Sequence, residues 1–215
     1  LADLMHDDLF FIGAASGLGG NQPGSEKAPS FLKNALELKL LQEIQQSFFL
    51  KRNHYESIAH FNRELAKATF AFAKREEFFI ALGGDHSCAI GTWSGVVEGY
   101  RQRGDIGLLW IDAHMDAHRP STSKSGNIHG MPLAVLLGSG NAHLVNILSS
   151  TPKLKPQNIA LIGTRSYEKE EEEFLKQLGV NIYFMENIKQ RGLQEVLKEA
   201  IHHITASTIG YGISL

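Results

Sequence analysis

Short apolar runs alternate with longer amphipathic stretches along this chain, a rhythm that predicts strands separated by helices. The apolar runs place strands at Leu9–Ala14, Glu77–Leu82, Ile106–Ile111, Ile159–Ile162, Asn181–Phe184 and Thr208–Leu215, with a further possible strand at Ser47–Leu50. Helical spacing covers Ala28–Leu41, Ser57–Lys74, Cys88–Val97, Met131–Leu137, Glu168–Leu178 and Gly192–Thr205. Strands that alternate with helices favour a parallel α/β sheet. No internal repeat, low-complexity segment or linker divides residues 1–215, so the expectation is one domain. The acidic run Glu170-Glu171-Glu172-Glu173 reads as a solvated helix start favoured by the helix dipole, and His202-His203 reads as helix surface.

The polar residues that interrupt this pattern gather at strand exits. Directly after Ile106–Ile111 comes Asp112-Ala113-His114-Met115-Asp116. Residues two apart in extended chain project to one face, so Asp112, His114 and Asp116 share a side while Ala113 and Met115 point away. At about 3.3 Å per residue the first and last are roughly 13 Å apart, too far to meet on one ion unless the chain curls. Two ions about 3.5–4 Å apart, bridged by a carboxylate, use the spread better. Carboxylate and imidazole ligands without thiolate favour Mn²⁺, with Zn²⁺, Fe²⁺ or Co²⁺ as weaker alternatives. The plainer reading is a polar loop after a buried strand.

A second cluster follows Phe78-Phe79-Ile80-Ala81-Leu82, where Gly83-Gly84 break the run ahead of Asp85-His86-Ser87. His86 then stands at the carboxyl end of a strand, where open α/β sheets place ligands. Asp85 or Ser87 alone could simply cap the next helix. A third cluster, Ser125-Gly126-Asn127-Ile128-His129-Gly130, has the glycines and hydrogen-bonding groups of a substrate loop, although turns favour these residues anyway. His129 suits proton transfer near neutral pH. Four of the ten histidines, His86, His114, His118 and His129, fall within this one stretch, which favours a site over scatter.

Taken together, Gly83-Gly84-Asp85-His86-Ser87 and Asp112-Ala113-His114-Met115-Asp116 resemble the first two metal motifs of the ureohydrolase family, which includes arginases, agmatinases and formiminoglutamases. Pro120, Thr122, Ser125-Gly126-Asn127-Ile128-His129-Gly130 and Pro132 are closer to the arginase branch than to agmatinases. Gly13, Gly17, Gly20, Gly24 and Ala28-Pro29 resemble the family's opening glycine-rich segment, and Ile162-Gly163-Thr164-Arg165 a later strand exit. The resemblance implies a doubly wound, mainly parallel sheet with helices on both faces. It implies two Mn²⁺ ions held by His86, Asp112, His114 and Asp116, with Asp112 bridging, His86 and Asp116 on one ion and His114 on the other. Ser125 and Asn127 would hold the amino-acid end of the substrate, and His129 would shuttle protons. The implied reaction is hydrolysis of the guanidino group of L-arginine to L-ornithine and urea, by attack of hydroxide on the guanidinium carbon, in a cytoplasmic homo-oligomer.

Two positions depart from the family pattern. His118 stands where arginases usually have asparagine, and Glu168 replaces a shorter aspartate near the substrate amino group, so both are candidate substrate-binding residues with an altered pocket. Tyr211-Gly212-Ile213-Ser214-Leu215 resembles the strand leading into the family's third motif, Ser-x-Asp-x-Asp, whose aspartates do not occur here. With Leu1 in place of an initiating methionine, and Met5 a candidate start, the expectation is a part of a longer protein that is inactive alone. Its sheet would lack two middle strands between those preceding His86 and Asp112. An agmatinase or other amidinohydrolase, a dinuclear phosphoesterase, and a non-catalytic scaffold remain alternatives; Ser125 and Asn127 weigh against the first and motif order against the second.

Composition narrows the classes further. Twenty-one basic against 23 acidic residues give a formal charge of −2, which offers no electrostatic case for nucleic acid or an anionic membrane. Cys88 is the sole cysteine, which excludes an intrachain disulfide and fits a reducing compartment. No apolar run approaches the roughly 20 residues of a membrane span. Leu9–Ala15 is short and follows Asp7-Asp8, unlike a signal peptide.

Overall fold

The computed structural model describes residues 9–47 and 53–215. Among the described residues, seven strands form two parallel sheets. In the first, β1 (Phe10–Ala15) lies between β2 (Leu40–Gln45) and β3 (Phe79–Gly83). In the second, the order is β6 (Asn181–Phe184), β5 (Ile159–Thr164), β4 (Ile106–Ile111) and β7 (Gly210–Ser214).

Strands buried on both faces read as continuous apolar runs, and β4 shows why. Leu108 and Trp110 point into a core completed by α3 (Cys88–Tyr100), α4 (Pro132–Leu136) and α6 (Lys169–Leu178). Leu109 points the other way, with Ala160 and Ile162, onto Val196, Ala200 and Ile204 of α8 (Leu193–Thr205). In the first sheet, Ile12 and Ala14 meet Phe61, Leu65 and Phe72 of α2 (His54–Arg75), while α1 (Ala28–Ala35) also lies against β1 and β3. The result is the expected arrangement of parallel sheets with helices on both faces.

Helices α2 and α3 pack unusually close because α3 presents Gly91, Gly95 and Gly99 at four-residue spacing. A Cβ at Gly95 would sit 2.2 Å from the Ala66 carbonyl oxygen. Across the same interface Asn62 Oδ1 accepts the Gly91 N–H at 2.7 Å, satisfying a donor that the first turn of a helix leaves without an intrahelical partner. Farther along, the buried Lys153 Nζ donates to the carbonyls of Val145, Ser149 and Thr151 at 2.9, 2.7 and 3.1 Å, closing the loop after α5 (Ala142–Val145).

Several expectations need correction. The helix expected over Ala28–Leu41 stops at Ala35, where Glu37 adopts φ +54° and Leu38 N–H reaches back to the Lys33 carbonyl. Leu40–Gln45 is instead an edge strand. The strand expected at Ser47–Leu50 is not formed at Ser47, and its remaining positions lie outside the described residues. Helices α5 and α7 (Met185–Arg191) were not expected. Nor are the strands before His86 and Asp112 separated entirely by absent strands, because this chain's own β7 pairs with β4.

Candidate metal centre

His86 and Asp112 follow β3 and β4, so each stands at the carboxyl end of a strand, one from each sheet. His86 reaches across the seam. Its Nδ1 lies 3.1 Å from Asp112 Oδ2 and 2.7 Å from Asp116 Oδ2, and its Nε2 lies 2.9 Å from Ser214 Oγ at the end of β7. The imidazole stacks on the Trp110 ring at 4.4 Å between centroids. Trp110 belongs to the apolar run of β4, so the core itself supplies the floor under this ligand.

The curl required to bring Asp116 back to Asp112 is present as a local conformation. Asp116 has φ +48°, a left-handed geometry that disfavours a non-glycine residue by about 1–2 kcal/mol. Its carbonyl accepts Leu133 N–H at 2.9 Å, and the next N–H, of Ala117, goes to Glu171 Oε1 at 3.0 Å. Asp112 meanwhile divides its oxygens. Oδ2 faces His86, while Oδ1 accepts His114 N–H at 2.9 Å and lies 3.2 Å from His114 Nδ1.

Electrostatics follow from this geometry. Burial opposes a charged His86, yet its hydrogen bonds to Asp112 and Asp116 prevail and raise its pKa to about 9. Burial likewise opposes an ionised Asp112, but hydrogen bonds from His86 and the His114 amide pull it down to about 2. Two carboxylates and an imidazole with ligand atoms all within 4.8 Å of one another can hold a cation. The divergent oxygens of Asp112, the second shared with His114, offer a start for another ion beside it.

The remaining predicted site residues make contacts of their own. His118 joins Glu168 through Nε2 at 2.8 Å and Thr122 Oγ1 through Nδ1 at 3.1 Å, so the two departures from the family pattern contact each other. Burial raises the pKa of Glu171, which lies 3.4 Å from the same His118 nitrogen, while the His118 hydrogen bond lowers that of Glu168. Ser125 and Asn127 occupy the adjoining loop, with Asn127 N–H donating to Ser125 Oγ at 3.2 Å. His129 N–H donates to the Gly19 carbonyl, and Asp85 accepts Gly19 N–H and Ser87 N–H at 2.8 Å each, so the glycine-rich opening loop is tied to both clusters. Ser125, Asn127 and His129 are not members of the His86–Asp112–Asp116 group. His114 is the most exposed of the four expected ligands, with 60% of its side chain accessible.

A model of the arginase family matches residues 7–215. The chain belongs to the arginase family. The arginase of Bacillus caldovelox is 35% identical over 226 residues, which cover 96% of this chain and 74% of that one. The arginase of Bacillus subtilis strain 168 is 34% identical over 94% of this chain and 72% of its own. The crystal structure of arginase from Bacillus subtilis superposes with a TM-score of 0.85 at 34% identity, covering 96% of this chain and 73% of that chain. Formimidoylglutamase from Bacillus subtilis, at 21% identity and a TM-score of 0.72, shares the fold. Membership supports a hydrolase, and no described helix is long and apolar enough to cross a membrane.

Two features of this arginase-family site escape the sequence pattern. Ser214 meets His86 only because β7 pairs with β4. Glu171 belongs to the acidic run that reads as a solvated helix start, yet it is 3% exposed and forms a second His–carboxylate group with His118 and Glu168. The capping position of Glu168 before α6, with an acidic residue three places later, was the available signal.

Proposed function

We propose that the parent protein of this arginase-family chain hydrolyses the guanidino group of L-arginine to L-ornithine and urea with two manganese ions. The observation that carries the reading is the convergence of His86, Asp112 and Asp116, with Asp112 turning its other oxygen to His114. His86 and Asp116 would hold one ion, His114 the other, and Asp112 both. When bound, manganese would supply hydroxide near neutral pH, since metals can lower the pKa of water from 15.7 to about 7.

The chain's own groups do the rest. Trp110 under His86 and the clamped peptide after Asp116 fix the ligand directions, which preorganises the centre before substrate enters. Ser125 and Asn127 would hydrogen-bond the α-carboxylate, and Glu168, held below the ordinary glutamate range by His118, would take the α-ammonium group. His129 would donate the proton that lets the ornithine amine leave. An analogue without the carboxylate leaves donors unpaired, at roughly 1–3 kcal/mol for each group. L-Arginine should therefore be turned over in preference to agmatine.

The test uses full-length protein stripped of metal and reloaded with Mn²⁺, with urea release measured on both substrates. Retained activity without metal, or a higher kcat/KM for agmatine, defeats the corresponding part of the proposal. His114→Ala should lose an ion by elemental analysis, whereas His129→Ala should keep both and lose turnover.

A further inference from the structure

We infer that Glu171 is a positioning residue that holds Asp116 in its ligand conformation by clamping the peptide group between Asp116 and Ala117. The inference rests on the metal reading of the centre. That peptide is held at both poles: its carbonyl accepts Leu133 N–H at 2.9 Å, and its N–H donates to Glu171 Oε1 at 3.0 Å. With both poles held, the plane of that peptide is fixed against Asp116, whose backbone sits at φ +48° and whose carboxylate lies 2.7 Å from His86.

The clamp has a rigid mount. The other oxygen of Glu171 accepts Glu168 N–H at 3.0 Å at the head of α6, and the same helix is anchored by Leu175, fully enclosed in the core. One carboxylate thus couples the helix start to a loop 54 residues earlier in the chain. His118 extends the restraint, since its N–H donates to the Gly130 carbonyl and its ring lies 3.4 Å from Glu171. A neighbour that only filled space would not need both acceptors directed at backbone donors. Loss of groups that orient a ligand from behind in this way typically lowers metal affinity.

Calorimetric titration of metal-stripped full-length protein with Mn²⁺ tests the assignment. Glu171→Leu removes both acceptors and should weaken Mn²⁺ binding about 10–100-fold. Glu171→Asp keeps the charge but withdraws it by one methylene, and should weaken binding in the same direction if the leucine variant does not fold. Glu171→Gln keeps a carbonyl oxygen for Ala117 and should restore most of the affinity while still losing helix-start stability. Leu175→Ala, which loosens the same helix without touching the loop, should melt earlier and bind Mn²⁺ as the parent does. Unchanged affinity in the aspartate and leucine variants, or equal loss in Leu175→Ala, overturns the positioning role. Failure of the parent protein to bind Mn²⁺ would instead overturn the metal reading beneath it.

Discussion

Replacing Gly95 by alanine tests whether the close approach of α2 and α3 sets the stability of the scaffold behind His86. The added Cβ would lie 2.0 Å from Thr69 Oγ1, 2.2 Å from the Ala66 carbonyl oxygen and 2.8 Å from the Phe70 nitrogen. Thr69 can rotate, but the other two are backbone atoms of α2. Ordinary carbon–oxygen contacts begin near 3.3 Å, so the helices must part by roughly 1 Å. Alanine gains about 1 kcal/mol of helix propensity over glycine. Against this stand overpacking, about 1–3 kcal/mol, and the stretching of the Asn62–Gly91 hydrogen bond, about 1 kcal/mol. The net expectation is a loss of about 1–3 kcal/mol in urea denaturation of the metal-free full-length protein. Because α3 begins two residues after His86, Mn²⁺ affinity should fall in the same variant. Gly210→Ala, where the added methyl meets nothing within 4 Å, should stay within about 0.5 kcal/mol of the parent. A Gly95→Ala protein stabilised by about 1 kcal/mol, as an unpacked helical glycine would be, refutes the packing argument.

Lys153→Met should destabilise by about 2–3 kcal/mol, because three carbonyls lose a charged donor; a thermal melt unchanged from the parent would show that the loop closes without it. His86 predicts opposite pH trends for two measurements. Its pKa is raised from 6.5 to about 9 in the folded metal-free protein, so the stabilisation from its charged pairing is complete below pH 6.5 and lost as pH rises through 9. Mn²⁺ binding, which must displace that proton, should tighten over the same interval. Melting and titration curves that are flat from pH 6 to 9 would contradict the pairing of His86 with Asp112 and Asp116.

The strands buried on both faces were the most legible elements, since Ile106–Ile111 and the Ile159–Ile162 part of β5 carry their burial in unbroken apolar runs. Edge strand β2 was not, because only Ile44 among its residues is buried and its polar positions lengthened the preceding helical pattern. Alternation put Asp112, His114 and Asp116 on one side, but could not show which residue would bend the chain; the left-handed turn at Asp116 is held by Leu133 and Glu171, remote in sequence. Glu171 itself was hidden among four consecutive glutamates. Adjacent helical positions face different directions, so a run of one residue type conceals which member turns inward.

The contact between His86 and Ser214 joins residues 128 positions apart, and this imposes an order of assembly. Strands β1, β2 and β3 lie within residues 10–83, whereas β7, which carries Ser214, can pair with β4 only when residues 210–214 have emerged. Chains fold broadly from the N-terminal side during synthesis, and distant pairings form slowly because closing long loops is entropically costly. The first sheet therefore waits without the Ser214 contact at the end of β3, and beside that edge Phe78 and Ile80 stay 71% and 36% exposed even once β7 is in place. During that interval the nascent chain is at its most vulnerable to sticking to other chains, and a chaperone that shields β3 would raise the yield of protein without altering the finished molecule.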